Sequence, residues 1–134
     1  MAIEFTVSDV IPASPQAIYD AWLSSEGHAS ITGGHPAEAS PEVGAAYTAW
    51  DGYITGTNLK LEPGKRIVQS WRSTDFNDGD PDSQIELLLE AVPGGTKVTL
   101  YHTNVPDGQP DYNEGWRSHY FEPMKKHFGR ARQV

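Results

Sequence analysis

The chain has 134 residues, fourteen Trp, Tyr and Phe rings, no Cys and a formal charge of −8. A chain of this length buries roughly two thirds of its unfolded surface, so one domain spanning residues 1–134 needs no disulfide or structural metal, and the lack of Cys excludes thiolate nucleophiles and thiolate zinc sites. Residues 1–59 carry seven acids and no Lys or Arg, while 60–134 carry ten bases and eleven acids, a balance that makes nucleic acid and anionic membranes poor partners.

The N-terminus meets Glu4 with no basic region before it, and no apolar run approaches the roughly 18 residues of a spanning helix. A cytoplasmic protein without membrane insertion is expected. The segment Ile3–Ile11 alternates and reads as a strand with Ile3, Phe5 and Val7 inward. Pro12 ends it. Ser14 then caps a short helix with Pro15 in its first turn and a stripe of Ile18, Trp22 and Leu23, which Gly27 is expected to stop.

From Gly33 to about Val43 the chain is Gly, Pro, Ala and acid, a loop composition. Strand-like runs follow near 45–50, 53–61, 65–73, 84–91 and 96–104, separated by Asp51-Gly52, Pro63-Gly64, the acidic stretch 75–82 and Pro93-Gly94-Gly95. Connections this short join antiparallel neighbours. From about Tyr112 to Arg130 the period becomes helical, with Trp116, Tyr120, Pro123, Met124 and His127 on one side and Phe121 and Phe128 flanking. Asp111 and Glu114 at its start and Lys125, Lys126, Arg130 and Arg132 at its end complement the helix dipole, and Pro123 should bend it. The order predicts an α+β fold: a curved antiparallel sheet of six to seven strands wrapped around a long C-terminal helix, with short helical structure after the first strand.

Two runs carry a resemblance, Gly52-Tyr-Ile-Thr-Gly-Thr-Asn-Leu-Lys-Leu-Glu-Pro-Gly-Lys-Arg-Ile-Val-Gln-Ser-Trp-Arg72 and Gly115-Trp-Arg-Ser-His-Tyr-Phe-Glu-Pro-Met-Lys-Lys-His-Phe-Gly129. They resemble the C-terminal domain of the activator of the heat-shock-protein-90 ATPase. The chain is similar to the stand-alone bacterial homologues of that activator family, within the START-like (SRPBCC) helix-grip superfamily. The resemblance implies the helix-grip fold, a cavity and a link to the stress response. That superfamily hosts lipid carriers, hormone receptors, aromatic cyclases and chaperone regulators, so fold alone does not assign function. Nothing in these 134 residues corresponds to the separate N-terminal domain of the eukaryotic activator, and little stimulation of the chaperone ATPase is expected.

Asp78, Asp80 and Asp82 alternate as in a calcium loop, yet Ser83 stands where Gly is required and Leu89 where Glu is. The five His, at 28, 35, 102, 119 and 127, have no metal-ligand spacing. No nucleophile elbow or phosphate loop occurs. No metal or cofactor is expected.

The stronger signal is strand phase. Ile67, Gln69 and Trp71 share one face, as do Val98, Leu100, His102 and Asn104, and buried amides and imidazoles cost a few kcal/mol unless partnered. Among the aromatics Trp22, Tyr47, Tyr53, Trp71, Trp116 and Tyr120, the ring of Trp71 should face Trp116, Tyr120 and Met124 on the long helix. Gln69, Trp71, His102, Asn104, Trp116, Tyr120 and Met124 are therefore the candidate ligand-binding residues, and a small hydrophobic or aromatic molecule in an apolar cavity is the expected partner. No catalytic residue is assigned. A cyclase or dehydratase would need His102 or His119 paired with Tyr101, Tyr120 or Asp9. A non-catalytic binding module ranks first, a chaperone-interacting regulator second and such an enzyme third.

Overall fold

The computed structural model describes residues 3–131. Six antiparallel strands, β1 (Ile3–Ile11), β2 (Ala46–Ala49), β3 (Ile54–Glu62), β4 (Arg66–Ser73), β5 (Ser83–Val92) and β6 (Gly95–Val105), form one curved sheet in the order β1-β6-β5-β4-β3-β2. The long neighbours β2 to β6 are joined by the predicted turns. Only β1 is displaced from its chain neighbour, because two helices intervene before β2: α1 (Pro15–Trp22) and α2 (Ser25–Ile31).

Ser14 caps α1 by accepting from Ala17 N, with Pro15 at its start, as the sequence predicts. Gly27 does not stop this helix. Leu23 does, and Ser24 then caps α2 by accepting from Gly27 N, so Gly27 lies inside the second helix. The reason is space: a Cβ on Gly27 would stand 2.5 Å from Ser24 Oγ and 2.7 Å from the Ala21 backbone. The glycine permits the tight α1–α2 corner.

One face of the sheet carries the core. Val7 and Ile11 of β1, Ile67 and Trp71 of β4, Ile85, Leu87 and Leu89 of β5, and Val98 and Leu100 of β6 are buried at alternate positions, the period that strands impose. Ile3, expected inward, is 45% exposed, since the β1–β6 register shifts between Ile3 and Phe5. The same irregularity displaces Asn104. Its backbone is left-handed, with φ of 59°, so the inward phase passes from His102 to Val105, and Asn104 points outward, donating to Asp82 O at 3.2 Å.

The C-terminal helix comprises α3 (Tyr112–Trp116), a π-helical turn (Arg117–Phe121) and α4 (Glu122–Ala131). Pro123 explains the turn: its ring excludes the carbonyl four residues back, and a wider turn just before it accommodates the misfit. The extra residue rotates the apolar stripe. Phe121 and Met124 are buried and Phe128 is half-buried, whereas His127, expected on that stripe, is exposed. Of the basic residues expected at the helix end, Lys125 reaches back to Asp9 of β1 at 2.5 Å, and Arg132 lies outside the described residues.

Candidate functional site

Tyr112, Gly115, Trp116, His119 and Tyr120 recur at helical spacing and give the first half of the C-terminal helix one continuous face. Opposite stand Trp50 and Tyr53 from the β2–β3 turn, Ile54 at the start of β3 and Trp71 near the end of β4. Between these walls lies a cleft of about 350 Å³, whose lining Pro110 and Asp111 complete from the connection between β6 and the helix. Deeper in the grip, side chains fill the space: Trp22, Phe121 and Met124 are each at most 1% exposed.

The β2–β3 turn is conformationally costly. Trp50 and Asp51 have φ of 54° and 55°, followed by Gly52 at 89°, and a bulky residue in the left-handed region is uncommon. Its ring is held between imidazoles, with centroids 4.2 Å from His35 and 5.3 Å from His119. Stacking contacts of this kind hold an otherwise disfavoured backbone, and such strain clusters at binding sites.

Behind the aromatic wall runs a hydrogen-bonded scaffold. Trp116 Nε1 donates to His102 Nδ1 at 3.1 Å, so Nε2 carries the proton and donates to Ser83 Oγ at 2.9 Å; the Ser83 hydroxyl donates to Trp71 O at 2.7 Å. His102 is neutral and fully buried, and desolvation lowers its pKa to about 3. His28 is arranged likewise: Nδ1 donates to Trp22 O at 2.9 Å, leaving Nε2 to accept from the Tyr120 hydroxyl at 2.7 Å. Burial lowers its pKa too, and raises that of Tyr120.

A third chain ties the sheet to the 32–45 loop. Trp22 Nε1 donates to Gln69 Oε1 at 3.1 Å, Gln69 Nε2 to Asn58 Oδ1 at 2.8 Å, and Asn58 Nδ2 to the carbonyls of Ser40 and Glu42 at 2.8 and 2.9 Å. At the rim, the Tyr53 hydroxyl donates to the Asp75 carboxylate by a short bond, and Ser73 Oγ donates to Tyr112 OH at 2.6 Å. Tyr112 OH in turn donates to Gln109 Oε1 at 2.8 Å. Burial is the leading cause of the raised pKa of both phenols.

Of the sequence-predicted residues, the cleft brings together Trp71, Trp116 and Tyr120. His102 and Gln69 stand behind its wall with their polar atoms bonded to protein, Met124 lies beneath in the core, and Asn104 faces outward. Trp50, Ile54 and Tyr112 are lining residues that the sequence does not single out for binding, and His119 enters there only as an acid–base candidate, although helical spacing from Trp116 and Tyr120 marks both Tyr112 and His119. Trp50 had a weaker signal, an aromatic placed directly before Asp51-Gly52. Of the groups considered for acid–base work, His119 and Tyr120 border the cleft, whereas Asp9 pairs with Lys125 and Tyr101 is 37% exposed on the sheet.

The 75–82 loop organises around a guanidinium: Arg72 donates to the carbonyls of Asp80 and Asn77 at 2.6 Å each and pairs with Asp82 at 3.2 Å. Among the described residues no cluster of three His, Asp or Glu side chains has metal-binding geometry.

Residues 12–129 match the profile of the family described as "Activator of Hsp90 ATPase homolog 1-like protein". The chain belongs to that family. The human activator of 90 kDa heat shock protein ATPase homolog 1 is 26% identical over 127 residues, covering 94% of this chain and 37% of the human protein. This activator-family chain thus spans about a third of the length of that relative. An HSP90 activator from Plasmodium falciparum superposes with a TM-score of 0.78 at 23% identity, covering 96% of each chain. The Aha1 dimer from Colwellia psychrerythraea gives 0.77 at 20% identity, covering 94% of this chain and 96% of that one. These two likenesses establish the helix-grip fold. No helix among the described residues is long and apolar enough to cross a membrane.

Proposed function

We propose that this activator-family protein is a non-catalytic binding module whose cleft takes a small, mainly apolar or aromatic molecule. The observation that carries the reading is the cleft wall itself: Trp50, Tyr53, Trp71, Tyr112, Trp116 and Tyr120 line one cleft. Rings contribute large apolar contact area with few torsions to freeze, and a concave apolar site with a few polar groups is the usual form of a ligand site. The acid-rich composition accords with a cytoplasmic role, and family membership accords with a role in stress.

A thermal-shift screen of fatty acids, aromatics and polyketide-like compounds tests the reading. A ligand at one hundred times its Kd adds about 2.7 kcal/mol to stability, a rise of several degrees in Tm. The shift should vanish in Trp50→Ala, which removes the partly exposed wall of the cleft. No shift with any compound, or shifts unchanged in the variant, overturns the proposal.

A second reading, favoured by family membership, is a chaperone-interacting regulator. An ATPase assay with the heat-shock-protein-90 homologue of the same organism distinguishes them. Several-fold stimulation at micromolar protein would put this reading first.

A further inference from the structure

Resting on the cleft reading above, we infer that the preferred occupant is a small organic cation, an ammonium group carried on an aromatic or alkyl body, rather than a fatty acid or another anion. The first support is what the wall offers. The hydroxyls of Tyr53, Tyr112 and Tyr120 and the indole N–H of Trp116 are each donated to a protein acceptor: Asp75, Gln109, His28 and His102. Those four rings line the cleft while their donors are spent. Ring faces carry the negative side of the aromatic quadrupole and attract cations, whereas an anion brought against these four rings loses hydration without gaining a donor from them.

The second support is charge. Asp111 lines the cleft, and no Lys or Arg does. The Asp75 carboxylate stands behind Tyr53 and accepts its proton in a short hydrogen bond, which increases electron density on that ring. Nearby guanidinium groups are turned elsewhere: Arg72 is held by Asn77, Asp80 and Asp82, and Arg117 donates to Asn113 Oδ1 at 3.3 Å. No Lys or Arg is placed to receive a carboxylate headgroup, and the imidazole of His119 is the basic side chain on the lining, its ring packed edge-on against Trp50. Aromatic walls with one acidic residue at the rim are the chemistry that recognises quaternary and tertiary ammonium groups.

Three probes of nearly one shape separate the terms: benzyltrimethylammonium, its neutral isostere neopentylbenzene, and phenylacetate. Their dissociation constants are read from tryptophan fluorescence and from the indole N–H signals in proton NMR spectra. The cation should bind at least about threefold tighter than the isostere, with phenylacetate weakest, and added salt should weaken the cation alone. Asp111→Asn keeps an N-cap for α3, since Asn caps as well as Asp. It should lower affinity for the cation about twofold or more and leave the isostere unchanged. If phenylacetate binds as tightly as the cation, or the isostere equals the cation, the inference is overturned while the cleft reading stands. If none of the three binds, the inference falls, and the wider thermal-shift screen decides whether the cleft reading falls with it.

Discussion

Trp116 donates its indole N–H to Nδ1 of His102 across 3.1 Å, and this bond sets the tautomer of an imidazole that has no contact with solvent. Because Nδ1 accepts, Nε2 must carry the proton, and it is passed as a donor to Ser83, whose own hydroxyl reaches the backbone of β4. The long helix, β6, β5 and β4 are thereby joined by one directional chain. The Trp116 ring forms cleft wall on one side, so the scaffold that holds the fold also aims the candidate binding surface.

Two variants separate the ring from its donor. Trp116→Ala should cost about 3–5 kcal/mol, as deletions of large buried aromatics do. Trp116→Phe keeps most of the ring but leaves Nδ1 of His102 buried without a partner, and should cost about 1–3 kcal/mol. Urea denaturation measures both. A loss below about 1 kcal/mol for the Ala variant would mean that the helix is not anchored by this side chain.

His102 also makes stability depend on pH. Its folded pKa is lowered to about 3 from an ordinary 6.5, so the unfolded chain binds the extra proton first, and stability is complete above pH 6.5 and falls as the pH drops toward 3. One proton changes stability by about 1.4 kcal/mol per pH unit. Between pH 6.5 and pH 5 His102 should therefore account for a loss of about 2 kcal/mol, and His28, lowered by the same cause, acts with the same sign. Denaturation midpoints at pH 7 and pH 5 should differ less in His102→Gln than in the wild type. An equal difference would mean that His102 is not held neutral.

Strand alternation, turn signals and the helical period of the last segment made the element order legible in the sequence, because each reflects a local rule. Register is not local. Asn58, Gln69, Ile85, His102 and Phe5 stand opposite one another in a single row across five strands. Strand phase pointed Gln69 and His102 inward, but their partners, Asn58, Trp22, Ser83 and Trp116, come from four other elements or loops that only the fold assembles. Asn104 shows the opposite failure: alternation extends onto it from His102, but its own left-handed backbone breaks the phase. The cleft divides in the same way, since Trp116 and Tyr120 follow from helical spacing, whereas Trp50 reaches it through a turn conformation that no periodicity reports.

Gly27→Ala tests the corner between α1 and α2. Alanine is ordinarily the better helix residue by about 1 kcal/mol, so a gain would be expected of an open site. Here the new methyl group would meet Ala21 backbone atoms at 2.7 Å, and backbone yields less than a flexible side chain. A net loss of about 1–3 kcal/mol is expected, read from the thermal midpoint. Stabilisation would show that the corner opens freely.

Trp50 carries the test that joins strain to binding. Its left-handed backbone costs roughly 1–2 kcal/mol relative to glycine, and its half-buried ring returns a similar amount through contact with His35, His119 and Tyr120. Trp50→Gly removes both terms, so folding stability should stay within about 1 kcal/mol of the wild type. Trp50→Ala removes the ring but keeps a Cβ in the left-handed region, and should be less stable than the Gly variant by about 1 kcal/mol. The difference between the two isolates the backbone cost from the lost contacts. Both variants should lose any ligand-induced rise in Tm, because both remove one wall of the cleft. If Ala proves as stable as Gly, the turn relaxes once the ring is gone, and the ring contacts themselves hold Trp50 in the left-handed conformation.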